Sequence, residues 1–238
     1  TTDKITQPID TDAEAMRHND LGVAFVFKGD VGQAIDEFTH ALRLQPNYFA
    51  AHLNLANTLL DIGRHDAAMI EFKEALRLKP DDPKTHNDLG VALKEMGDPA
   101  GAIAEFKTVL RRNPTDVNAH NNLGVALKAM GDLDGAIAEY RTAASLQPND
   151  VNAHFNLGLG LMEKHQPDAA IAEFRTALHL RPNDAKIRFN LAHALAGLGQ
   201  RMEAAQELRQ YLRLELDTPA NRRWLEQAEA KLRELEMP

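Results

Sequence analysis

The chain has 238 residues, a formal charge of −8, 44% apolar residues and only 5% aromatic ones, a balance that favours a mostly helical protein packed with Ala and Leu. Its acidity, with a pI near 5.7, argues against nucleic acid or an anionic membrane surface as the main partner, since both reward a basic footprint. The lack of cysteine excludes a disulfide framework, a thiolate nucleophile and Cys-ligated zinc, and no apolar run approaches the ~18–20 residues that membrane insertion needs. A soluble protein is expected, its compartment unknown, with cytoplasm slightly favoured over periplasm.

Residues 1–14 read as a short polar lead-in. From there the sequence repeats with a step of 34 residues. His18, His52, His86, His120 and His154 share that step, with Arg188 at the next; so do Leu21, Leu55, Leu89, Leu123, Leu157 and Leu191, the alanines from Ala34 to Ala204, and Pro46, Pro80, Pro114, Pro148 and Pro182. Copies fall at 15–48, 49–82, 83–116, 117–150, 151–184 and 185–218.

Each copy predicts two helices. In 117–150, Leu123, Gly124 and Leu127 share one face of a helix A, Gly131 and Asp132 end it and cap the next, and helix B turns Ala136, Tyr140, Ala143 and Leu146 inward until Pro148 stops it. The small Gly124 and Ala136 let the helices approach, and one copy cannot bury this surface without its neighbours. The fifth copy has His165-Gln166-Pro167 at the turn, where a non-Gly residue loses roughly 1 kcal/mol if the left-handed conformation is kept. The sixth carries Leu208 for the aromatic and Leu216 for the Pro. Residues 219–238 predict a capping helix, with Thr218 or Asp217 as cap, Pro219 at its start, a stripe through Leu225, Ala228, Leu232 and Leu235, and Trp224 packed on the sixth copy.

The pattern resembles the tetratricopeptide repeat, W-x2-L-G-x2-Y, then A-x3-F, an Ala and a closing Pro, with His in place of the first aromatic. The resemblance implies an all-α, right-handed α-solenoid. It also implies a concave groove, lined by helix-A positions two, five, nine, twelve and thirteen, that holds extended peptides.

The histidines share the arc of Leu123 and face the packing side, one helix-packing distance of about 8–10 Å apart, too far for a shared metal at ~2 Å. No HExxH, phosphate-loop or nucleophile-elbow pattern occurs, so no enzyme activity, metal or cofactor is expected. The groove is predicted to begin apolar at Met16, Val23, Val26 and Phe27, to run through Leu53, Asn57, Lys84, Asn87, Lys94, Asn118, Asn121, Lys128 and Asn152, and to turn apolar again at Phe155, Leu159 and Met162, with Lys186, Phe189 and His193 beyond. At position six Asn54, Asn122, Asn156 and Asn190 recur, with Asp20 and Asp88 in the other two copies. Such amides can pair with a peptide backbone, and the row resembles the asparagine ladder in the repeat arm of O-linked N-acetylglucosamine transferases. Helix–helix hydrogen bonding is the alternative use for them.

The expected function is a protein-interaction scaffold or adaptor for an extended peptide or protein, with acidic character in the ligand favoured by Lys84, Lys94, Lys128 and Lys186. Two other readings stand beside it: the substrate-recruiting region of a larger enzyme such as a glycosyltransferase, and a self-assembling homo-oligomer.

Overall fold

The computed structural model describes residues 10–215, 218 and 221–237. All regular structure among them is helical: α1 (Thr11–Lys28), α2 (Val31–Leu44), α3 (Phe49–Asp61), α4 (His65–Leu78), α5 (Pro83–Glu95), α6 (Pro99–Arg112), α7 (Val117–Ala129), α8 (Leu133–Leu146), α9 (Val151–Glu163), α10 (Pro167–Leu180), α11 (Ala185–Gly197), α12 (Arg201–Leu214) and α13 (Arg222–Glu236). Two compact units are formed, one ending at Arg112 and the other starting at Asn113.

Within each unit the odd-numbered helix of a pair is a helix A and the even-numbered one a helix B. Aspartates open most of them: Asp132 accepts from the Gly135 amide at 2.9 Å and Asp150 from the Ala153 amide at 2.7 Å, satisfying donors that a helix start leaves unpaired. Gly131 closes α7 at φ 84°, a conformation that costs glycine nothing sterically. The fifth copy keeps this turn, with His165 at φ 57°. Helix A and helix B meet where a Cβ on Gly124 would lie 2.5 Å from the Tyr140 ring, so the glycine sets their separation. Tyr140 is a core residue whose phenol is pushed up to about 12 by burial and by Glu163, and it stays neutral.

The repeated histidine ties three pieces of chain together. His120 Nδ1 lies 2.6 Å from Glu139 on helix B, and its Nε2 lies 3.0 Å from the Pro114 carbonyl of the preceding turn. His52, His86 and His154 repeat the arrangement with Glu71 and Pro46, Glu105 and Pro80, and Glu173 and Pro148. Both acceptors are satisfied together only when both ring nitrogens carry a proton. Arg188 reproduces the clamp with a different side chain, donating to Glu207 at 2.5 Å and to the Pro182 carbonyl at 2.7 Å. His18 pairs with Glu37 and stacks on His40, ring centroids 4.0 Å apart.

Two expectations at the ends change. Asp10 caps α1, so 10–14 of the expected polar lead-in belong to the first helix, while 1–9 lie outside the described residues. At the other end Thr218 does not cap α13: Asn221 holds the N-cap position, and its Oδ1 accepts from the Thr218 backbone and hydroxyl, both at 2.9 Å. Asp217, Pro219 and Leu216 lie outside the described residues. Helix α13 continues the 34-residue step, since Leu225 follows Leu191 and Trp224 follows Asn190 in it.

Candidate functional site

In the first unit, the helix-A residues Val23, Val26, Phe27, Asn54, Asn57, Thr58 and Asp61 edge a small hollow of about 140 Å³ floored by Phe38. Phe27 is 87% exposed and Met16 56%, an apolar edge that nothing within the unit covers. The amides here are already at work between copies: Asn54 Nδ2 donates to Asn19 Oδ1 at 2.9 Å, and Asn57 Nδ2 donates to Asp88 at 3.0 Å. Asp88, which stands where four other copies carry Asn, is therefore an acceptor in this network. Leu53 is turned into the core beside Leu55 and Phe72, away from any surface a ligand would touch. Lys84 is exposed and Lys94 half-buried, and Asn87 is half-buried and engaged.

In the second unit, Asn118 and Asn152 stand exposed in the first turns of α7 and α9. Asn121 is buried, its Oδ1 without a donor among the described residues, and Asn122 is half-buried and engaged. Asn156 is half-buried, and Asn190 donates to the Lys186 carbonyl one turn earlier at 2.8 Å. Lys128 is not a free charge, because Glu163 takes its ammonium at 2.7 Å. Phe155, Phe189, Asn190 and Lys186 do come together, with Leu159, around a mostly apolar cavity of about 390 Å³.

That cavity has further walls that the helix-A pattern did not name: Tyr211 and Glu215 from the end of α12, and Asn221 and Trp224 from α13. Phe189 stands at its centre, 5.2 Å from the Tyr211 ring, 5.7 Å and edge-on to Trp224, and 4.8 Å from His193. Burial and the nearby Lys231 push His193 down, which favours its neutral form. A signal for these walls was present, since Tyr211 sits where the other copies carry Ala41, Ala75, Val109, Ala143 and Ala177. The one large residue in a column of small ones marks the place where packing changes.

Among the described residues no group of His, Asp and Glu is arranged to hold a metal, and no helix is long and apolar enough to cross a membrane. One model of the tetratricopeptide repeat matches residues 19–83, 87–151 and 125–185, and a second matches 161–223. The chain belongs to the tetratricopeptide repeat family. No curated protein matches it. Among solved structures, this chain resembles MamA protein, at 27% identity over 73% of this chain and 94% of that one, with a TM-score of 0.63. PilF of Pseudomonas aeruginosa shares the fold at 19% identity, covering 92% and 99% with a TM-score of 0.77. So does YrrB, a tetratricopeptide repeat protein with an unusual peptide-binding site, at 20% identity, 78% and 92% coverage and a TM-score of 0.61. The fold class is thus all-α, a solenoid of helix-turn-helix repeats.

Proposed function

We propose that this protein is a non-catalytic interaction scaffold that holds an extended peptide segment of a partner against its helix-A faces, with the six copies as binding modules and 219–238 as their cap. The observation that carries the reading is that each unit gathers helix-A residues around an open apolar hollow edged by amides, at Val26, Phe27, Asn54 and Asn57 in one and at Phe155, Leu159, Phe189 and Asn190 in the other. Apolar side chains of a ligand would supply affinity there and amides would satisfy its backbone. Asn54 of the expected ladder serves a contact between helices, as does the groove residue Asn57, so recognition rests more on the hollows than on a continuous row. The peptide-binding site of YrrB, a protein of the same fold, fits the same general role.

Selection of binders from a random peptide library on the full chain, followed by hydrogen exchange with and without the selected peptide, tests it. Protection should fall on α1 and α3, or on α9, α11 and α13. Protection confined to the even-numbered helices, or a library that yields no binder, would sink the reading.

A further inference from the structure

The cavity in the second unit differs from a plain stretch of groove because the cap helix and the end of α12 close it on further sides. The geometry points to an anchor site for one bulky apolar side chain, Phe, Leu or Met, of an extended peptide, with an acidic residue beside it that pairs with Lys186. This rests on the peptide-binding reading and specifies which residue type the second unit selects.

Three observations carry it. The first is size: about 390 Å³ sits low in the roughly 300–1,000 Å³ range of ligand clefts, room for a large side chain with its flanking backbone. The second is the lining. Phe155, Phe189, Tyr211 and Trp224 present ring faces and edges, and the tilted and edge-on angles among them are those at which an added ring packs well. The third is charge. Lys186 is exposed, its Nζ lies 5.2 Å from the Phe155 ring centroid, and no carboxylate among the described residues pairs with it. The other ionised lining group, Glu215, is held by Asn221, whose Nδ2 donates to it at 2.6 Å. A carboxylate on the ligand gives Lys186 the ion-pair partner that no described residue supplies.

Trp224, the only tryptophan, lines the cavity and reports on its occupancy by fluorescence. The probe is the pentapeptide acetyl-Gly-Asp-Phe-Asp-Gly amide titrated into the full chain, against versions with Ala for Phe and with Lys for both Asp. Losing the buried ring should weaken binding about tenfold to a hundredfold, and reversing the charge should weaken it severalfold. Lys186→Glu lies on the surface, where it leaves the core intact, and should invert the preference so that the Lys probe binds better. The proposal is overturned if the Phe probe binds no better than the Ala probe, or if Lys186→Glu leaves the charge order unchanged. A pentapeptide that fails while library peptides still protect α1 and α3 removes the anchor and leaves the scaffold reading standing. Failure of both removes the two together.

Discussion

The repeats around His120 and His154 and the terminal one around Arg188 make the same three-way connection with different chemistry. In each, a basic side chain on helix A reaches a glutamate on helix B and a proline carbonyl in the preceding turn. A histidine does this only as imidazolium, whereas a guanidinium is charged at any pH a protein survives. The terminal copy also pairs Ala192 with Leu208, where the copy before it pairs Gly158 with Phe174. A repeat thus specifies a set of contacts, and the residues that make them can change together.

The largest test concerns the core pair. Phe174→Ala should cost about 3–5 kcal/mol and Leu208→Ala about 2–4 kcal/mol, read from guanidinium unfolding midpoints at constant m-value. Phe174→Leu alone should cost more than Phe174→Leu combined with Gly158→Ala, because the added methyl refills part of the space the ring left. Equal or reversed costs would mean that the terminal pair is not a compensated exchange.

Next in size is removal of the carboxylates. Glu207→Ala strands a guanidinium whose side chain is 12% exposed and which cannot lose its proton, at a cost of about 2–3 kcal/mol. Glu139→Ala leaves a histidine that keeps its hydrogen bond to the Pro114 carbonyl, so about 1 kcal/mol is expected. If Glu139→Ala proved the more damaging, the histidine clamp would be worth more than its arginine counterpart and the comparison would invert.

A pH series separates the two chemistries further. For His52, burial works to lower the pKa, but the hydrogen bond and charge of Glu71, the Pro46 carbonyl and Glu74 outweigh it and leave the pKa raised. A raised folded value means that its stabilisation is complete below the unfolded value of about 6.5 and fades as pH rises through the folded one. His193 works oppositely, since its lowered pKa costs stability as pH falls below about 6.5. Comparing wild type with His52→Arg removes that background. The variant should gain on wild type as pH rises above about 6.5, in urea midpoints, by up to about 1 kcal/mol. A difference that stays flat with pH would refute the charged clamp.

How far the sequence made these features legible depends on the range of the interaction. The 34-residue step exposed the helices and their inward faces, because periodicity records burial directly: Leu123, Ala136 and Tyr140 are all inside. It also put the histidines on the packing side. What it could not show was which partner an amide takes, since Asn54 bonding Asn19 and Asn57 bonding Asp88 depend on how neighbouring copies stack. Leu53 shows the same limit, a groove position by phase that the neighbouring helices cover. The second unit's cavity was half legible: Phe155 and Phe189 follow from phase, but Tyr211 and Trp224 join them through the packing of α12 and α13, which no single repeat encodes.

The smallest expected effect lies at the turn of the fifth copy. Gly29, Gly63, Gly97, Gly131 and Gly199 all take φ between 72° and 84° at the corresponding turns, and His165 takes 57° there with a Cβ that the left-handed region disfavours. The turn is held in shape by bonds that any residue can make, from the His165 amide to the Met162 carbonyl and from the Gln166 amide to the Leu161 carbonyl. Pro167, already suited to the first turn of α10, fixes the exit. Nothing in this geometry uses a Cβ at 165, so His165→Gly should raise stability by up to about 1 kcal/mol, less whatever the more flexible unfolded chain takes back. The increase should appear as a higher urea midpoint with an unchanged m-value. A loss of stability would show that the imidazole makes a contact worth more than the strain, and the fifth turn would then differ from the other five by the role of its side chain as well as by its backbone.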